Sequence, residues 1–507
     1  MPRDLSLQLS ETLGAKDETL AIAFAGKRLS WTWLAEAAQA CDAALERYGI
    51  GEGQPVGLVS RNRPAHVAAV AGLAATRRTT CMIYSAQAPA AIAAEISRLA
   101  APAVLADPQD WTPEVTAAVA ATGALGLAIS DAPERLVEVV VAPAHRGDRV
   151  HKPPCPEIAF ELLSSGTTGA PKRLPLSWAA VNAAVEDAGA SYAGSARRDA
   201  PIIMLHPLGN VAGLTYVAPA LAYRQPMVLL EKFTVEGWTR AVRDYRPVRA
   251  ALPPAAVQMV LDARPPREDL ASLSLIAVGG ARISTELQEA FEAVYGIPVL
   301  PAFGATEFGG VIANWTLDGY RALGASKRGS AGRPSRGVAL RIIDPETGGQ
   351  AAPGAIGLLE ARVDRIGPDW IRTNDLASLD EDGFLFLHGR ADAAINRGGF
   401  KVAPEVVAEA LRGHPAVADA AVVGVPDARL GEVPAAAVEI RHGASEPSPE
   451  ELEVFLRQRL LAYQIPAFLR IVPALPRNAS MKIALPEVRK MFDAASGPET
   501  TPGPASP

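Results

Sequence analysis

Hydrophobic positions in the first 310 residues alternate between short apolar runs and longer helix-like stretches. Pro55–Ser60 and Ala103–Ala106 have the length and character of buried strands, and the small-residue stretch Ala65–Ala75 between them is typical of a helix. The same rhythm returns over residues 200–310, where the predicted strands are Pro226–Leu230, Ala250–Leu252 and Leu275–Val278. This alternation of strands and helices predicts parallel sheets covered by helices.

From about residue 330 to 390 the hydrophobic period shortens to two. Such a period predicts antiparallel strands joined by Gly/Pro turns. The predicted strands are Val338–Ile343, Gly357–Val363 and Gly383–Leu387. We therefore expect a small antiparallel β region at the end of the first domain.

A second unit begins near residue 389. Pro404 suits the first turn of a helix, and the apolar stripe that follows it runs through Leu411. The predicted strands after this helix are Ala418–Gly424 and Ala435–Ile440. Ser448 and Glu451 form a capping-box pattern, which predicts a further helix that runs to about Ala462.

These patterns predict an α/β protein with two domains. The large N-terminal domain, residues 1–390, combines parallel-sheet α/β layers with the small antiparallel region. The small α+β C-terminal domain covers residues 391–495. Residues 496–507 are rich in Gly, Pro, Ser and Thr and are predicted to be a disordered tail.

Composition narrows the possible functions. The 507 residues are 49% hydrophobic and 21% charged, which is enough apolar material for two cores. A net charge of −6 provides no broad cationic face and disfavours nucleic acid as a partner. Cys41, Cys81 and Cys155 lack the spacing of a disulfide framework or a zinc site. With no signal-peptide pattern and no bilayer-length apolar run, the sequence predicts a cytoplasmic protein.

A loop rich in glycine and hydroxyl side chains follows the apolar strand Ile158–Leu163. Its chemistry-bearing residues are Ser164, Ser165, Gly166, Thr167, Thr168, Gly169 and Lys172. Glycines let backbone N–H groups approach an anion, hydroxyls donate further hydrogen bonds, and the lysine adds charge, so this loop is a candidate phosphate site. The spacing of a Walker A loop is absent. A flexible Ser/Thr/Gly turn is the alternative interpretation.

This loop resembles the phosphate loop of the adenylate-forming superfamily, which includes acyl- and aryl-CoA synthetases, peptide-synthetase adenylation domains and luciferases. Further segments resemble the family's other motifs in order. They are Val278-Gly279-Gly280-Ala281, Phe303-Gly304-Ala305-Thr306-Glu307, Arg372-Thr373-Asn374-Asp375, the region from Gly389 to Glu405, and Leu475–Lys482. The resemblance extends from about residue 20 to 490. Within the superfamily, the sequence is most similar to a stand-alone acid–CoA ligase. This resemblance implies ATP, Mg²⁺ and CoA as cofactors.

The resemblance also implies how the N-terminal motifs act. Attack of a carboxylate on the α-phosphate of ATP brings negative charges together, and a divalent cation reduces their repulsion. Glu307 is the implied magnesium ligand, and the hydroxyl of the neighbouring Thr306 would bond the α-phosphate. Phe303 offers an aromatic face for adenine. The other implied nucleotide-binding residues of this region are Gly280, Ala281 and Gly304.

Three residues of the later motifs have implied roles. Asp375 can accept hydrogen bonds from both ribose hydroxyls, and Arg390 is a candidate partner for ribose or phosphate. A surface salt bridge is the alternative for each. Lys482 is the implied catalytic lysine, whose ammonium would stabilise charge developing between the carboxylate and the α-phosphate. An ordinary exposed lysine is its alternative.

In the resembled family the C-terminal domain swings between two half-reactions, so we expect this domain to be mobile. Gly398, Gly399 and Lys401 are implied to line the path of the pantetheine arm of CoA, because glycines leave room for it. Asp392 resembles the hinge residue that absorbs the backbone rotation. A simple turn aspartate is the alternative.

The segment from Pro207 to Gly213 departs from the family pattern. Gly209 and Asn210 stand where acyl- and aryl-CoA ligases usually carry phenylalanine and histidine, which puts gating of the acyl pocket in doubt and would enlarge it. The nearby His206 has two equally good interpretations, as a structural histidine or as a site residue. The predicted acyl-pocket residues are Gly209, Asn210, Gly213, Gly279, Gly304 and Gly309. The predicted pocket is mostly apolar and lacks a carboxylate at the place expected to pair with the ammonium of an amino acid, which favours an aryl or aliphatic acid.

Three glycine-type positions of the family are also changed, to Arg173, Asn374 and Met481. Arg173 adds a cation beside the phosphate loop, which should not harm ATP binding. Asparagine tolerates a left-handed backbone. Methionine does not, so we expect the loop before Lys482 to have shifted.

The sequence thus predicts an ATP-dependent acid–CoA ligase. An acid and ATP would give acyl-AMP and pyrophosphate, and CoA would then take the acyl group and release AMP. The alternatives are a stand-alone adenylation enzyme that loads a separate carrier protein, and a non-catalytic nucleotide-binding relative. The expected partners are a small carboxylic acid, ATP and CoA. We also consider a homodimer.

Overall fold

The structure is a computed structural model of the chain. It describes residues 3–15, 17–143, 151–163, 173–193, 200–398, 400–478 and 481–493. The chain packs as two compact units. Unit 1 comprises residues 1–340 and 361–371, and unit 2 comprises residues 341–360 and 372–507. The predicted boundary near residue 390 stays a prediction, and the predicted tail lies outside the described residues.

The mixed α/β architecture that the sequence predicts is confirmed. In chain order the helices are α1 (Leu5–Gly14), α2 (Trp31–Arg47), α3 (Pro64–Ala75), α4 (Pro89–Leu99), α5 (Pro113–Thr122), α6 (Trp178–Ala193), α7 (Val211–Ala222), α8 (Val235–Tyr245), α9 (Pro254–Ala263), α10 (Thr285–Tyr295), α11 (Leu317–Leu323), α12 (Pro404–Arg412), α13 (Pro449–Arg457) and α14 (Leu485–Asp493). Within the described ranges, none of these helices has both the length and the apolar character needed to cross a membrane.

The first seventeen strands precede residue 335. They are β1 (Leu20–Phe24), β2 (Lys27–Ser30), β3 (Pro55–Ser60), β4 (Thr79–Tyr84), β5 (Ala103–Ala106), β6 (Leu125–Ile129), β7 (Val137–Val141), β8 (Ile158–Leu163), β9 (Arg173–Ser177), β10 (Ile202–Met204), β11 (Met227–Leu229), β12 (Arg249–Leu252), β13 (Leu275–Val278), β14 (Val299–Pro301), β15 (Phe303–Ala305), β16 (Gly310–Asn314) and β17 (Arg333–Pro334).

The remaining strands include the antiparallel region and the C-terminal sheet. They are β18 (Val338–Ile343), β19 (Gly357–Val363), β20 (Trp370–Leu379), β21 (Leu385–Arg390), β22 (Ile395–Arg397), β23 (Phe400–Val402), β24 (Val417–Asp427), β25 (Gly431–Ile440) and β26 (Phe468–Val472). Most predicted strands agree with these bounds to within a few residues.

Unit 1 is built around a seven-stranded sheet in the order β7-β6-β5-β3-β4-β8-β9. Its central strands β5, β3, β4 and β8 are parallel. Every residue of β3 is buried, which is why that strand reads as a continuous apolar run without alternation. Smaller sheets have the orders β10-β11-β1-β2 and β12-β13-β14. Their strands also pair in parallel, apart from the β1–β2 hairpin.

Helix α3 packs on the sheet through small side chains, and its close contact with α2 depends on a glycine. A Cβ atom built on Gly72 would lie 2.9 Å from the carbonyl oxygen of Ala38 and 3.3 Å from its Cα. Backbone atoms cannot yield as a flexible side chain can. Gly72 therefore sets the distance between the two helices.

Unit 2 contains the long antiparallel pair β24–β25, to which β26 adds in parallel. The predicted capping box is present, because Ser448 Oγ accepts the N–H of Glu451 and the Glu451 carboxylate accepts the N–H of Ser448. The helix it opens ends at Arg457, so the predicted end near Ala462 is wrong. Beyond the helix end, Arg397 Nη1 donates to the carbonyls of Tyr463 and Ile465.

The strand predicted at Gly383–Leu387 begins later, at Leu385. Gly383 has a φ of +77° and its N–H donates to the carbonyl of Asp380. The glycine therefore belongs to a tight turn, and the strand starts after it.

We predict that Gly72→Ala destabilises the protein by about 1–3 kcal/mol, because the added methyl group overpacks the α2–α3 contact. In an open helical site the same change would stabilise by about 1 kcal/mol. Gly14→Ala is the matched control, since Gly14 is the last residue of α1 and a Cβ atom there meets nothing within 4 Å. Urea unfolding measures both variants. A Gly72→Ala protein as stable as the parent would contradict this account of the packing.

Candidate active site

Two predicted nucleotide-binding segments leave neighbouring parallel strands at the same edge of a sheet. β13 pairs with β14 with Val278 opposite Pro301, and the N–H of Ala302 donates to the carbonyl of Val278 at 2.8 Å. Residues 279–281 follow β13, and residues 303–307 follow β14. The carboxyl ends of parallel strands are where open α/β sheets bind ligands. The structure thus brings these two segments together.

Glu307 lies on a single 3₁₀ turn, Thr306–Phe308, between β15 and β16. Its side chain is exposed, whereas Phe308 is fully buried and anchors the turn. Gly309 and Gly310 follow with φ values of +64° and +132°. Glycine is favoured at such backbone angles, so these residues let the chain reverse directly after the carboxylate.

The oxygen donors on this turn fit Mg²⁺. Among the described residues there is no group of three or more His, Cys, Asp or Glu side chains that could hold a metal alone. Mg²⁺ is usually held by one or two carboxylates together with water and substrate phosphates. Glu307, with the Thr306 hydroxyl beside it, suits a metal that arrives on ATP.

Arg365 supports the Glu307 turn and was missed from the sequence. Its Nε donates to the carbonyl of Phe308 at 3.0 Å, and its Nη2 donates to the carbonyl of Val311 at 2.9 Å. Its side chain is only 7% exposed, and burial lowers the pKa of this guanidinium. Asp187, at 3.9 Å, is its carboxylate partner. No motif marks Arg365, because only the fold brings it to this turn.

A narrow apolar cavity reaches the Glu307 turn at Gly309. Its walls come from α6 and α7, and its volume is about 20 Å³. Val181 and Val185 line it from α6, and Leu214 and Ala218 line it from α7. Of the predicted acyl-pocket glycines, Gly309 is the one that borders this cavity.

The other predicted acyl-pocket residues of the 207–213 segment have local structural contacts. A Cβ atom on Gly209 would lie 2.3 Å from Ser60 Oγ, and one on Gly213 would lie 2.1 Å from the carbonyl oxygen of Pro207. Asn210 is the N-cap of α7, where its Oδ1 accepts the N–H of Gly213 at 2.8 Å. The chain is therefore close-packed here, and the expected enlargement stays a prediction.

The predicted phosphate loop, residues 164–172, lies outside the described residues, but its flanks are well defined. Leu163 pairs with Arg173 across the antiparallel strands β8 and β9. The Tyr84 hydroxyl donates to the carbonyl of Leu163 at 2.7 Å, and burial raises the pKa of this phenol to about 12, which keeps the donor proton in place. Arg173 Nε donates to Glu95 at 2.9 Å, so its charge is taken up by an ion pair.

In unit 2, Asp375 and Arg390 face each other on the antiparallel strands β20 and β21. Arg390 forms a bidentate pair with Asp392 at 2.9 and 2.8 Å, while its distance to Asp375 is 4.0 Å. The hydrogen bond from Arg390 is the main reason that the pKa of Asp392 is lowered. Asn374 Nδ2 also donates to Asp392 at 3.0 Å. Asn374 thus serves as a donor from an extended strand, without a left-handed backbone.

Lys482 is partly exposed and lies in a hairpin that is bridged between Arg477 and Ile483. The N–H of Asn478 donates to the carbonyl of Lys482 at 2.9 Å, and the N–H of Met481 donates to the carbonyl of Asn478 at 2.8 Å. Met481 has a φ of +60°. It therefore keeps the left-handed backbone of a glycine-type position, and our expectation that methionine excludes it is wrong. The neighbouring hydrogen bonds hold it there at a cost of about 1 kcal/mol.

The predicted CoA path is only partly described. Gly398 has a φ of +57° and its N–H donates to the carbonyl of Leu430 at 2.8 Å. Gly399 lies outside the described residues, as does the side chain of Lys401. Phe400 is 58% exposed and stacks on Tyr463 with ring centroids 4.8 Å apart. An exposed aromatic surface therefore adjoins this segment.

Residues 9–364 match the family described as AMP-binding enzyme, and residues 407–482 match its C-terminal domain. The chain belongs to the AMP-binding enzyme family. The resemblance to adenylate-forming enzymes that the motifs indicate is confirmed. The placement of the groups of unit 1 relative to those of unit 2 stays a prediction.

Curated relatives of this AMP-binding enzyme are named as ligases. The fatty acid–[acyl-carrier-protein] ligase ScoC of Streptomyces coeruleorubidus is 31% identical over 351 residues, which cover 66% of this chain and 67% of that protein. The probable CoA ligase CCL5 of Humulus lupulus is 28% identical over 531 residues, with 97% and 94% covered. In several other curated relatives the aligned region spans somewhat less than two thirds of the relative's length.

A similar fold is seen in solved structures. ATP-bound MatB from Rhodopseudomonas palustris superposes with a TM-score of 0.83 at 22% identity, and the match covers 98% of this chain and 100% of that chain. At this identity the likeness concerns the fold. It extends over both units of this AMP-binding enzyme.

We predict that Met481→Gly raises the free energy of unfolding by up to about 1 kcal/mol, because glycine adopts the left-handed backbone without strain. Met259→Gly is the matched control. Met259 is exposed inside α9, where glycine should destabilise by about 1 kcal/mol. Urea unfolding followed by circular dichroism compares the two variants. Equal destabilisation by both would show that Met481 carries no backbone strain.

Proposed function

We propose that this AMP-binding enzyme is an ATP-dependent carboxylic acid–CoA ligase that proceeds through an acyl-AMP. One observation carries the proposal. The 279–281 segment and the segment that leads to the Glu307 turn leave one edge of a sheet in unit 1, and an apolar cavity borders the turn at Gly309. This arrangement supports a site in which the sheet edge would bind the nucleotide, Glu307 would bind magnesium, and the acyl tail would enter the cavity once its lining side chains move apart.

In the first half-reaction the acid's carboxylate attacks the α-phosphate and pyrophosphate leaves. Bound Mg²⁺ would reduce the charge repulsion between the reacting anions. Glu307 would help hold the metal, and Thr306 would donate to an α-phosphate oxygen. Phe303 would pack on adenine, and Asp375 would accept the ribose hydroxyls. Lys482 would neutralise the charge that develops between carboxylate and phosphate.

In the second half-reaction a thiolate attacks the acyl carbonyl and AMP leaves. Gly398 and its neighbours would line the thiol's path, and rotation about Asp392 would exchange this face for the Lys482 face. The pair between Arg390 and Asp392 is partly exposed, with side chains 39% and 26% exposed. Such pairs contribute little stability, so opening one during a rotation costs little.

The cavity between α6 and α7 supports an apolar acid, aryl or aliphatic. Its described lining is made of aliphatic side chains, one threonine and Gly309. A charged α-substituent would be buried there without a partner, which disfavours amino acids. Its volume of about 20 Å³ holds roughly one water molecule, so an acid tail requires the lining side chains to move apart.

Loading of a carrier protein is the second candidate. It is motivated by the relative named as a fatty acid–[acyl-carrier-protein] ligase. Both candidates share the acyl-AMP step and differ in the thiol that accepts the acyl group. CoA is favoured here because other relatives carry CoA ligase in their names.

We predict that Lys482→Ala lowers the rate of acyl-AMP formation roughly 100-fold or more, because the transition-state charge loses its cation. Thioester formation from supplied acyl-AMP should survive. Lys490→Ala is the control, since Lys490 is an exposed lysine of α14 paired with Glu487. Pyrophosphate release and single-turnover thioester assays separate the steps. Equal loss in both assays would refute the role given to Lys482.

We predict acid-dependent pyrophosphate release with a panel of aryl and aliphatic acids, and a CoA thioester detected by mass spectrometry. Amino acids should be poor substrates because the cavity is apolar. Acid-dependent ATP–pyrophosphate exchange without any CoA thioester would replace the ligase proposal with carrier loading. No pyrophosphate release across the panel would contradict an adenylating activity.

A further inference from the structure

Two carboxylates lie opposite each other on the central strands of unit 2. Asp419 of β24 pairs in register with Glu439 of β25, next to an irregularity between Val417 and Asp419. Like charges directly opposite on neighbouring strands destabilise a sheet, and bulges of this kind often redirect a side chain. The pair therefore needs a compensating cation.

The compensating group is Arg477, which belongs to the segment that leads to Lys482. Arg477 Nη2 lies 2.6 Å from Asp419 Oδ2 and 4.0 Å from Glu439 Oε2. Glu439 Oε2 also accepts the N–H of Leu475 at 2.9 Å. The two carboxylates thus hold both ends of the short segment from Leu475 to Arg477.

Arg477 also contacts the hairpin that contains Lys482. Its Nη1 donates to the carbonyl of Met481 at 3.3 Å, directly before Lys482. The N–H of Lys482 donates to Asn478 Oδ1 at 3.1 Å. One guanidinium therefore links the sheet to the far strand of the hairpin, and the lysine backbone is fixed from both sides.

Asp419 is ionised, and each of its two carboxylate oxygens binds a guanidinium. Arg412 Nε binds its Oδ1 at 2.9 Å, which leaves Oδ2 for Arg477. Burial opposes ionisation of Asp419, but Arg412 and Arg477 outweigh it and keep its pKa below the usual value. Arg412 is shared with Glu405, whose carboxylate lies 2.9 Å from its Nη1, so Arg477 supplies the further positive charge that Asp419 and Glu439 require.

We propose that Asp419, Glu439 and Arg477 form a clamp that positions Lys482 for acyl-AMP formation. The proposal rests on the proposed function, because it gives the clamp the same half-reaction as Lys482. Its members are positioning residues that act through the lysine backbone. A displacement of about 1 Å at a catalytic group can cost on the order of 100-fold in rate, so the clamp should matter for that step.

Arg477→Gln tests the clamp in the full-length protein. We expect acyl-AMP formation to fall roughly tenfold to 100-fold. Thioester formation from supplied acyl-AMP should change less than about twofold, because that step uses the other face of unit 2. Arg477→Lys should lie between Gln and the parent, since one ammonium lacks the fork that spans Asp419 and the Met481 carbonyl. Glu453→Gln, which removes an exposed pair with Arg457, is the matched control and should change neither step.

A double-mutant cycle separates positioning from a general loss of stability. In a Lys482→Ala background, Arg477→Gln should cause no further loss of acyl-AMP formation, because its effect passes through the lysine. An equal further loss, or an equal drop in both half-reactions, would overturn the clamp. So would an unchanged adenylation rate in Arg477→Gln and Arg477→Lys while Lys482→Ala is impaired. If Lys482→Ala alone keeps full adenylation, the proposed function fails instead.

Discussion

The parallel pairing of β13 with β14 is the constraint on which the candidate site of unit 1 depends. Its register places Val278 beside Pro301, and one hydrogen bond from Ala302 to Val278 closes the edge of the sheet. The segments that follow the two strands therefore begin at the same edge of the sheet. Two segments separated by more than twenty residues in sequence become neighbours for this reason, and the Glu307 turn follows directly from the second.

Much of this organisation could be predicted, because buried parallel strands leave a clear apolar signal. The hydrophobic pattern predicts both the first and the last residue of four strands correctly: β3, β5, β8 and β13. The motifs indicate the family for the same reason, since loops that bind phosphate need unusual glycine and hydroxyl content. The sequence could not predict tertiary contacts such as the hydrogen bonds from Arg397 to the carbonyls of Tyr463 and Ile465, more than sixty residues away along the chain.

The departures from the family pattern also acquire physical meanings that residue type alone could not supply. Asn210 caps α7, so an amide there satisfies a helix N–H that would otherwise need another partner. Arg173 pairs with Glu95 and supports the strand behind the phosphate loop. Met481 keeps a left-handed backbone that its side chain disfavours, because hydrogen bonds on both sides of it fix the turn. In each case the surrounding contacts override the preference of the residue.

Unit 2 uses ion pairs in two different ways, and burial distinguishes them. Arg412 and Arg477 both bind Asp419, and these side chains are 24%, 24% and 21% exposed, so separating these charges would leave them less well solvated. Arg390 and Asp392 are more exposed, and water can replace each partner as the pair opens. In the proposed mechanism the residues after Asp392 rotate while they present a fixed lysine, and this division of the ion pairs suits that motion. The enclosed pairs keep the hairpin rigid within the unit, and the exposed pair lies at the proposed hinge, where a change of backbone angle costs least.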